Sequence, residues 1–99
     1  METMEISIQF IGFPIIYDLF PGGPHPYTLA GKTIAQLVDD LLSRKEGRIQ
    51  EALLDSRTKE LDPTIQIGIN GKFIPRDEIH QKEIQDGDHV IFFMLMAGG

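Results

Sequence analysis

Ile65-Gln66-Ile67-Gly68-Ile69-Asn70-Gly71-Lys72-Phe73-Ile74 is the stretch on which the fold turns. Ile65, Ile67 and Ile69 alternate with Gln66 and Gly68, the period of two that a strand with one buried face requires. Asn70-Gly71 follows at once. This pair is the strongest short hairpin signal, because both central residues of a type I′ turn need positive φ. Lys72-Phe73-Ile74 returns as the partner strand, and Pro75 stops it.

Working outward toward the carboxyl end, Asp86-Gly87-Asp88 makes a turn and Val90-Ile91-Phe92-Phe93-Met94-Leu95 is a further strand. Toward the amino end, Asp62-Pro63 closes a loop, and a short helix over Arg48–Leu54 carries Ile49, Ala52 and Leu53 on one side. The main helix precedes it. Thr33 and Gln36 have the spacing of a capping box. Ile34, Leu37, Val38, Leu41 and Leu42 repeat as one apolar stripe. Arg44 and Lys45 suit the negative helix end, and Gly47 is expected to cap it.

The first strand alternates Met4, Ile6, Ile8 and Phe10 with Glu5, Ser7 and Gln9, which leaves Ile11 on the polar face. Gly12 and Pro14 end or bend that strand. Ile15-Ile16-Tyr17-Asp18-Leu19-Phe20 has strand composition, Pro21-Gly22-Gly23-Pro24-His25-Pro26 reads as a loop, and Tyr27-Thr28-Leu29 resumes an extended segment. A second strand is therefore expected somewhere between residues 15 and 29. The order β, β, α, short α, β, β, β predicts an α+β domain with helices on one face of a mixed sheet.

At 99 residues, with 41% hydrophobic and 24% charged, one core and one domain over 1–99 are expected. No apolar run approaches the roughly 20 residues of a membrane span. Met1-Glu2-Thr3-Met4-Glu5 is acidic where a secretory signal is basic. A net charge of -6 argues against a nucleic-acid surface and for basic protein partners. Cysteine is absent, which removes disulfides, thiolate zinc sites, iron–sulfur clusters and thiol nucleophiles, and a reducing cytoplasm is expected.

Catalytic constellations are missing. His25, His80 and His89 have no metal-ligand spacing, so no metal site is expected. Ser7, Ser43 and Ser56 lack a nucleophile-elbow context. Asp39 and Asp40 point about 100° apart on a helix, and Asp86 and Asp88 read as turn formers. What remains is Met94-Leu95-Met96-Ala97-Gly98-Gly99, which leaves the last strand for a terminal carboxylate. Two glycines offer no side chain to a core but can be threaded through a narrow channel. A carboxylate on such a tether becomes reactive once its oxygen is made a leaving group, as in an acyl-adenylate.

Asp86-Gly87-Asp88-His89-Val90-Ile91-Phe92-Phe93 followed by Ala97-Gly98-Gly99 resembles the carboxyl end of the β-grasp, ubiquitin-like sulfur carriers. The chain is most similar to the small subunit of molybdopterin synthase and more loosely to the thiamine-pathway carrier. Asn70-Gly71-Lys72-Phe73-Ile74 resembles their upstream hairpin, and Thr33-Ile34-Ala35-Gln36-Leu37 the start of their central helix. Length and the second short helix favour the molybdopterin type. Met94-Leu95 replaces the Pro-Pro pair common in that subunit, and the 21–26 loop is long for the family.

The resemblance implies a β-grasp sheet of about five strands on one main and one short helix, with 94–99 as a flexible functional tail. It also implies a cycle. An ATP-dependent activating enzyme adenylates the Gly99 carboxylate, and a sulfur donor converts it to a thiocarboxylate. A larger synthase subunit or other acceptor then receives the sulfur. Gly98 supplies access, and the carrier itself binds neither ATP nor metal. Ile11, Phe73, Ile91 and Phe93, with Met96 and Ala97 of the tail, are the expected partner-binding residues. In the last strand Val90, Phe92 and Met94 share one face and Ile91, Phe93 and Leu95 the other. Val90 and Phe92 resemble the core pair of the family segment, which implies that Ile91 and Phe93 face outward. Two rival readings stand beside this one: a ubiquitin-like modifier joined through Gly99 to lysines, and a β-grasp interaction module that is never activated.

Overall fold

The alternation at both ends of the chain becomes the centre of one sheet. The computed structural model describes residues 3–13, 16, 19–44, 47–55, 57–58 and 60–94. The elements are β1 (Met4–Ile11), β2 (His25–Leu29), α1 (Ile34–Leu42), α2 (Gly47–Leu53), β3 (Ile65–Ile69), β4 (Lys72–Phe73) and β5 (His89–Met94). Arg76–Glu78 form a single 3₁₀ turn between β4 and β5. The strand order is β2-β1-β5-β3-β4, so the first and last strands lie side by side. They pair in parallel, with Phe10 opposite Phe92 and Ile11 opposite Phe93. All other pairings are antiparallel. The sheet is mixed, as the α+β expectation requires.

Ile6, Ile8, Phe10, Val90, Phe92, Ile65, Ile67 and Ile69 share the inner face and are buried. Ile34, Leu37 and Leu41 of α1 and Ile49, Ala52 and Leu53 of α2 close over it, and all belong to one hydrophobic cluster. The Phe10 and Phe92 rings stack with centroids 4.9 Å apart and an interplanar angle of 15°. That stack locks the parallel register from the core side.

Local chemistry accounts for the element ends. Asn70 and Gly71 both take positive φ, 52° and 87°, as a type I′ turn needs. The Thr33 side chain accepts from the Gln36 amide while the Gln36 side chain accepts from the Thr33 amide, the full capping box. Asp86-Gly87-Asp88 does more than turn. The Asp86 carboxylate accepts from the Glu5 amide at 2.7 Å, and the Asp88 carbonyl accepts from the Ser7 amide at 3.0 Å. The turn thus fastens the start of β5 to β1.

Several expectations shift. Gly47 does not cap α1, which closes at Ser43; Gly47 is the first residue of α2. Arg44 lies beyond the helix and sits over the Tyr27 ring at 5.0 Å. Lys45 lies outside the described residues. The loop expected through Pro26 ends earlier, since β2 begins at His25. Pro26 is tolerated because β2 is an edge strand, where a missing N–H need not break a ladder. No strand forms over the described residues of 15–20; instead the amides of Leu19 and Phe20 both donate to the Ile16 carbonyl. Ile16 and Phe13 are buried there and belong to the core cluster. Pro14 and Ile15 lie outside the described residues.

Candidate functional site

Side chains that the alternation sends away from the core collect at one end of the outer face. In β1 that face carries Glu5, Ser7, Gln9 and Ile11; in β5 it carries His89, Ile91 and Phe93. Parallel pairing sets Gln9 beside Ile91 and Ile11 beside Phe93. On the other side of β5, Gly68 pairs with Ile91 and Gln66 with Phe93. Gly68 also pairs with Phe73 of β4. The row thus runs from Ile11 of β1 through Phe93 and Ile91 of β5, over Gly68 of β3, to Phe73 of β4.

Ile11 is 38% exposed and Phe73 61% exposed, the two large hydrophobic side chains that stand out among the described residues. Ile91 and Phe93 are half-buried. The Phe73 and Phe93 rings meet edge to face, with centroids 6.4 Å apart. Ile74, not Phe73, packs against the core. The patch is bordered by Gln9, whose side-chain oxygen lies 3.0 Å from His89 Nε2.

Two glycines shape this end of the sheet. A Cβ on Gly68 would lie 3.5 Å from Phe73 Cδ1 and 3.3 Å from the Lys72 carbonyl, so the bare backbone lets Phe73 lie across β3 toward Phe93. Gly12 has φ +84°, and a Cβ there would stand 2.9 Å from the Met94 carbonyl oxygen. Met94 ends β5 opposite Ile65, so it belongs to the sheet rather than to the tail expected over 94–99. Sequence reading missed both glycines as site residues. A signal was present for Gly68, since glycine inside a strand marks a close approach, whereas Gly12 lies just past β1 and the partner of its approach, Met94, is 82 residues away (94 − 12). Met96, Ala97, Gly98 and Gly99 lie outside the described residues.

The remaining polar groups have other work. Burial, then the hydrogen bond to Asp40, pushes the Tyr27 hydroxyl above its ordinary pKa on the inner side of β2. Asp55, on the loop after α2, accepts from the Arg57 and Thr58 amides, which holds its carboxyl below the usual range. His25 bonds the Pro21 carbonyl. Among the described residues no group of three or more His, Asp or Glu side chains is arranged around a metal position, and no helix is long and apolar enough to cross a membrane. The described part of the chain offers an apolar surface at the carboxyl end of the last strand.

Comparison with known proteins identifies the family and the fold. Residues 24–99 match the model of the ThiS family. The sulfur carrier protein ThiS of Escherichia coli (strain K12) is 29% identical over 70 residues, covering 71% of this chain and 80% of that protein. The small archaeal modifier protein 1 (SAMP1) of Methanosarcina acetivorans superposes with a TM-score of 0.71 at 19% identity, covering 100% of both chains. Urm1 of Trypanosoma brucei gives a TM-score of 0.58 at 25% identity, covering 100% of this chain and 99% of that one. The shared architecture is the ubiquitin-like β-grasp fold.

Proposed function

The chain belongs to the ThiS family, and from that premise we propose that it is a sulfur carrier whose working group is the Gly99 carboxylate. The carrying observation is that the family match runs through residue 99 and so includes Ala97-Gly98-Gly99. An ATP-dependent activating enzyme joins the carboxylate to AMP and releases pyrophosphate. A donor of a sulfide equivalent attacks the carbonyl carbon, the C–O bond to phosphate breaks, and AMP leaves. Where the donor is a persulfide, a thiol supplies the two electrons that cleave its S–S bond. The product is a Gly99 thiocarboxylate, ready for an acceptor. ATP stays with the activating partner, and the sulfur rides on the terminal carbonyl, which is consistent with a chain that has no cysteine.

In this reading Ile11, Phe73, Ile91 and Phe93 seat the activating enzyme or acceptor beside β5, while Met96, Ala97 and Gly98 pass the terminus into its channel. Gly12 keeps the Met94 backbone close to the end of β1, which sets where the tail leaves the sheet. For the acceptor, α2 supports a pterin precursor on a larger synthase subunit, in molybdenum or tungsten cofactor assembly in the cytoplasm. The likeness to an archaeal modifier favours the second reading, conjugation through Gly99, at the level of fold alone.

Intact mass after incubation with activating enzyme, ATP and a sulfur donor separates these. Exchange of one oxygen for sulfur on Gly99 supports the carrier, an isopeptide ladder supports the modifier, and an unchanged mass rejects both. One residue added beyond Gly99, or Gly98→Val, is expected to abolish adenylation with unchanged thermal unfolding. An extended chain that is adenylated at the normal rate contradicts the assignment.

A further inference from the structure

Beside its fully buried residues, α1 carries apolar side chains that pack against the core on one side and line a cleft on the other. Of the five stripe residues in α1, Ile34, Leu37 and Leu41 are fully buried, but Val38 and Leu42 are only partly so. With Ala35 and Asp39 they follow the spacing i, i+3, i+4, i+7 and line one wall of a cleft of about 400 Å³. The opposite wall is Leu54 and Leu61, held together as an isolated antiparallel bridge, with Ile79 buried beneath. Four aliphatic side chains thus converge half-covered on one concavity, within the size range of small binding sites.

The charges around it select the occupant. Arg76 lines the cleft, but its guanidinium is committed to the chain itself. It donates to the carbonyls of Leu61 at 2.9 Å, Ile65 at 3.1 Å and Asp62 at 3.3 Å, which makes it a brace for the wall. Asp39 and Glu60 are exposed on the rim, and neither carboxylate has a hydrogen-bond or salt-bridge partner among the described residues. Among the described residues, His80 is the one other polar side chain of the lining and is exposed, so the two carboxylates outnumber it at the rim of a chain of net charge -6.

We propose that this cleft binds a basic segment of a partner protein, one aliphatic side chain seated against Val38, Leu42, Leu54 and Leu61 and flanking Lys or Arg paired with Asp39 and Glu60. The site lies on the helix side of the sheet, opposite the Ile11–Phe93 patch, so it leaves that patch open to a second protein at the same time. It does not depend on the terminal carboxylate.

The test is an amide chemical-shift titration of the labelled full chain with a blocked peptide holding one leucine between two lysines on either side. Shifts are expected around residues 35–42, 54, 61 and 79–80. Asp39→Asn with Glu60→Gln should weaken binding about fivefold, the effect of two exposed charge pairs. Serine in place of the peptide leucine should abolish it. The proposal is overturned by shifts at Ile11, Phe73 and Phe93 instead of the cleft, by equal binding of the neutralised variant, or by no shift up to about 5 mM peptide. Concentration-dependent shifts of the cleft amides without peptide would assign it to a second copy and overturn it equally. None of these results bears on thiocarboxylate formation.

Discussion

At the residue scale, the strand period separates two adjacent phenylalanines. Phe92 is fully buried and stacks on Phe10, while Phe93 faces out and meets Phe73. Phe92→Ala should therefore cost about 3–5 kcal/mol in denaturant unfolding, the range for a truncated core aromatic. Phe73→Ala should leave stability within about 0.5 kcal/mol, as surface substitutions do. Phe93→Ala should weaken binding to the activating enzyme or synthase subunit by about 2 kcal/mol, read by calorimetry, with little loss of stability. A stability loss at Phe93 equal to that at Phe92 would place it in the core. Gly12 and Gly23 make a second contrast. Both have positive φ, +84° and +101°, but only Gly12 has backbone within reach of a Cβ. Ala at either position carries roughly 1–2 kcal/mol of backbone strain. Gly12→Ala alone should also shift the Met94 amide and slow adenylation. Equal behaviour of the two variants would remove Gly12 from the site.

At the element scale, β2 is held to α1 by the Tyr27 hydroxyl, which donates to the Asp40 carboxylate, with Arg44 over the ring. Burial first, and then that hydrogen bond, raises the Tyr27 pKa above 10.0. A group whose folded pKa is raised stabilises fully below its unfolded pKa and loses that contribution as pH climbs through the folded value. Stability should therefore be flat with respect to Tyr27 below about pH 10 and fall above it. Phenolate absorbance in a Tyr17→Phe chain, where Tyr27 is the one tyrosine left, should show a midpoint above 10.0. A midpoint at or below that value would mean the contact with Asp40 is not held in solution. The main stripe of α1 was legible from spacing, but its division was not. Whether Val38 and Leu42 are fully covered or also line a cleft depends on where Leu54 and Leu61 land, and no local pattern encodes that.

At the scale of the whole molecule, two faces of one sheet carry different duties. The inner face with its helices holds the fold, and the outer face at the end of β1 and β5 is open and apolar. With a net charge of -6, encounter with a basic activating enzyme should be steered by long-range attraction. Association rates should fall several-fold between about 50 and 500 mM salt, while dissociation, governed by the apolar patch, changes little. Stopped-flow mixing at graded ionic strength measures both, and a salt-independent association rate would rule out the steering.

The amino-acid sequence by itself determined the element order, the α1 cap and the type I′ turn, while the side of β5 that faces the core, in a strand apolar on both faces, came from the family resemblance. The first three follow from contacts within a few residues and from the two periods of the backbone, which any local stretch displays. The sequence carried that resemblance through the Asp86–Phe93 run and Ala97-Gly98-Gly99. Only the tertiary structure decided that β1 and β5 are neighbours, that His25 and Pro26 belong to the edge strand, and that Gly47 opens a helix instead of closing one. The same holds for Gly12 under Met94, for Phe73 lying over Gly68, and for the cleft beside α1. Each depends on chain segments that meet only when the core closes, so the energy that selects them is absent from any short window of sequence.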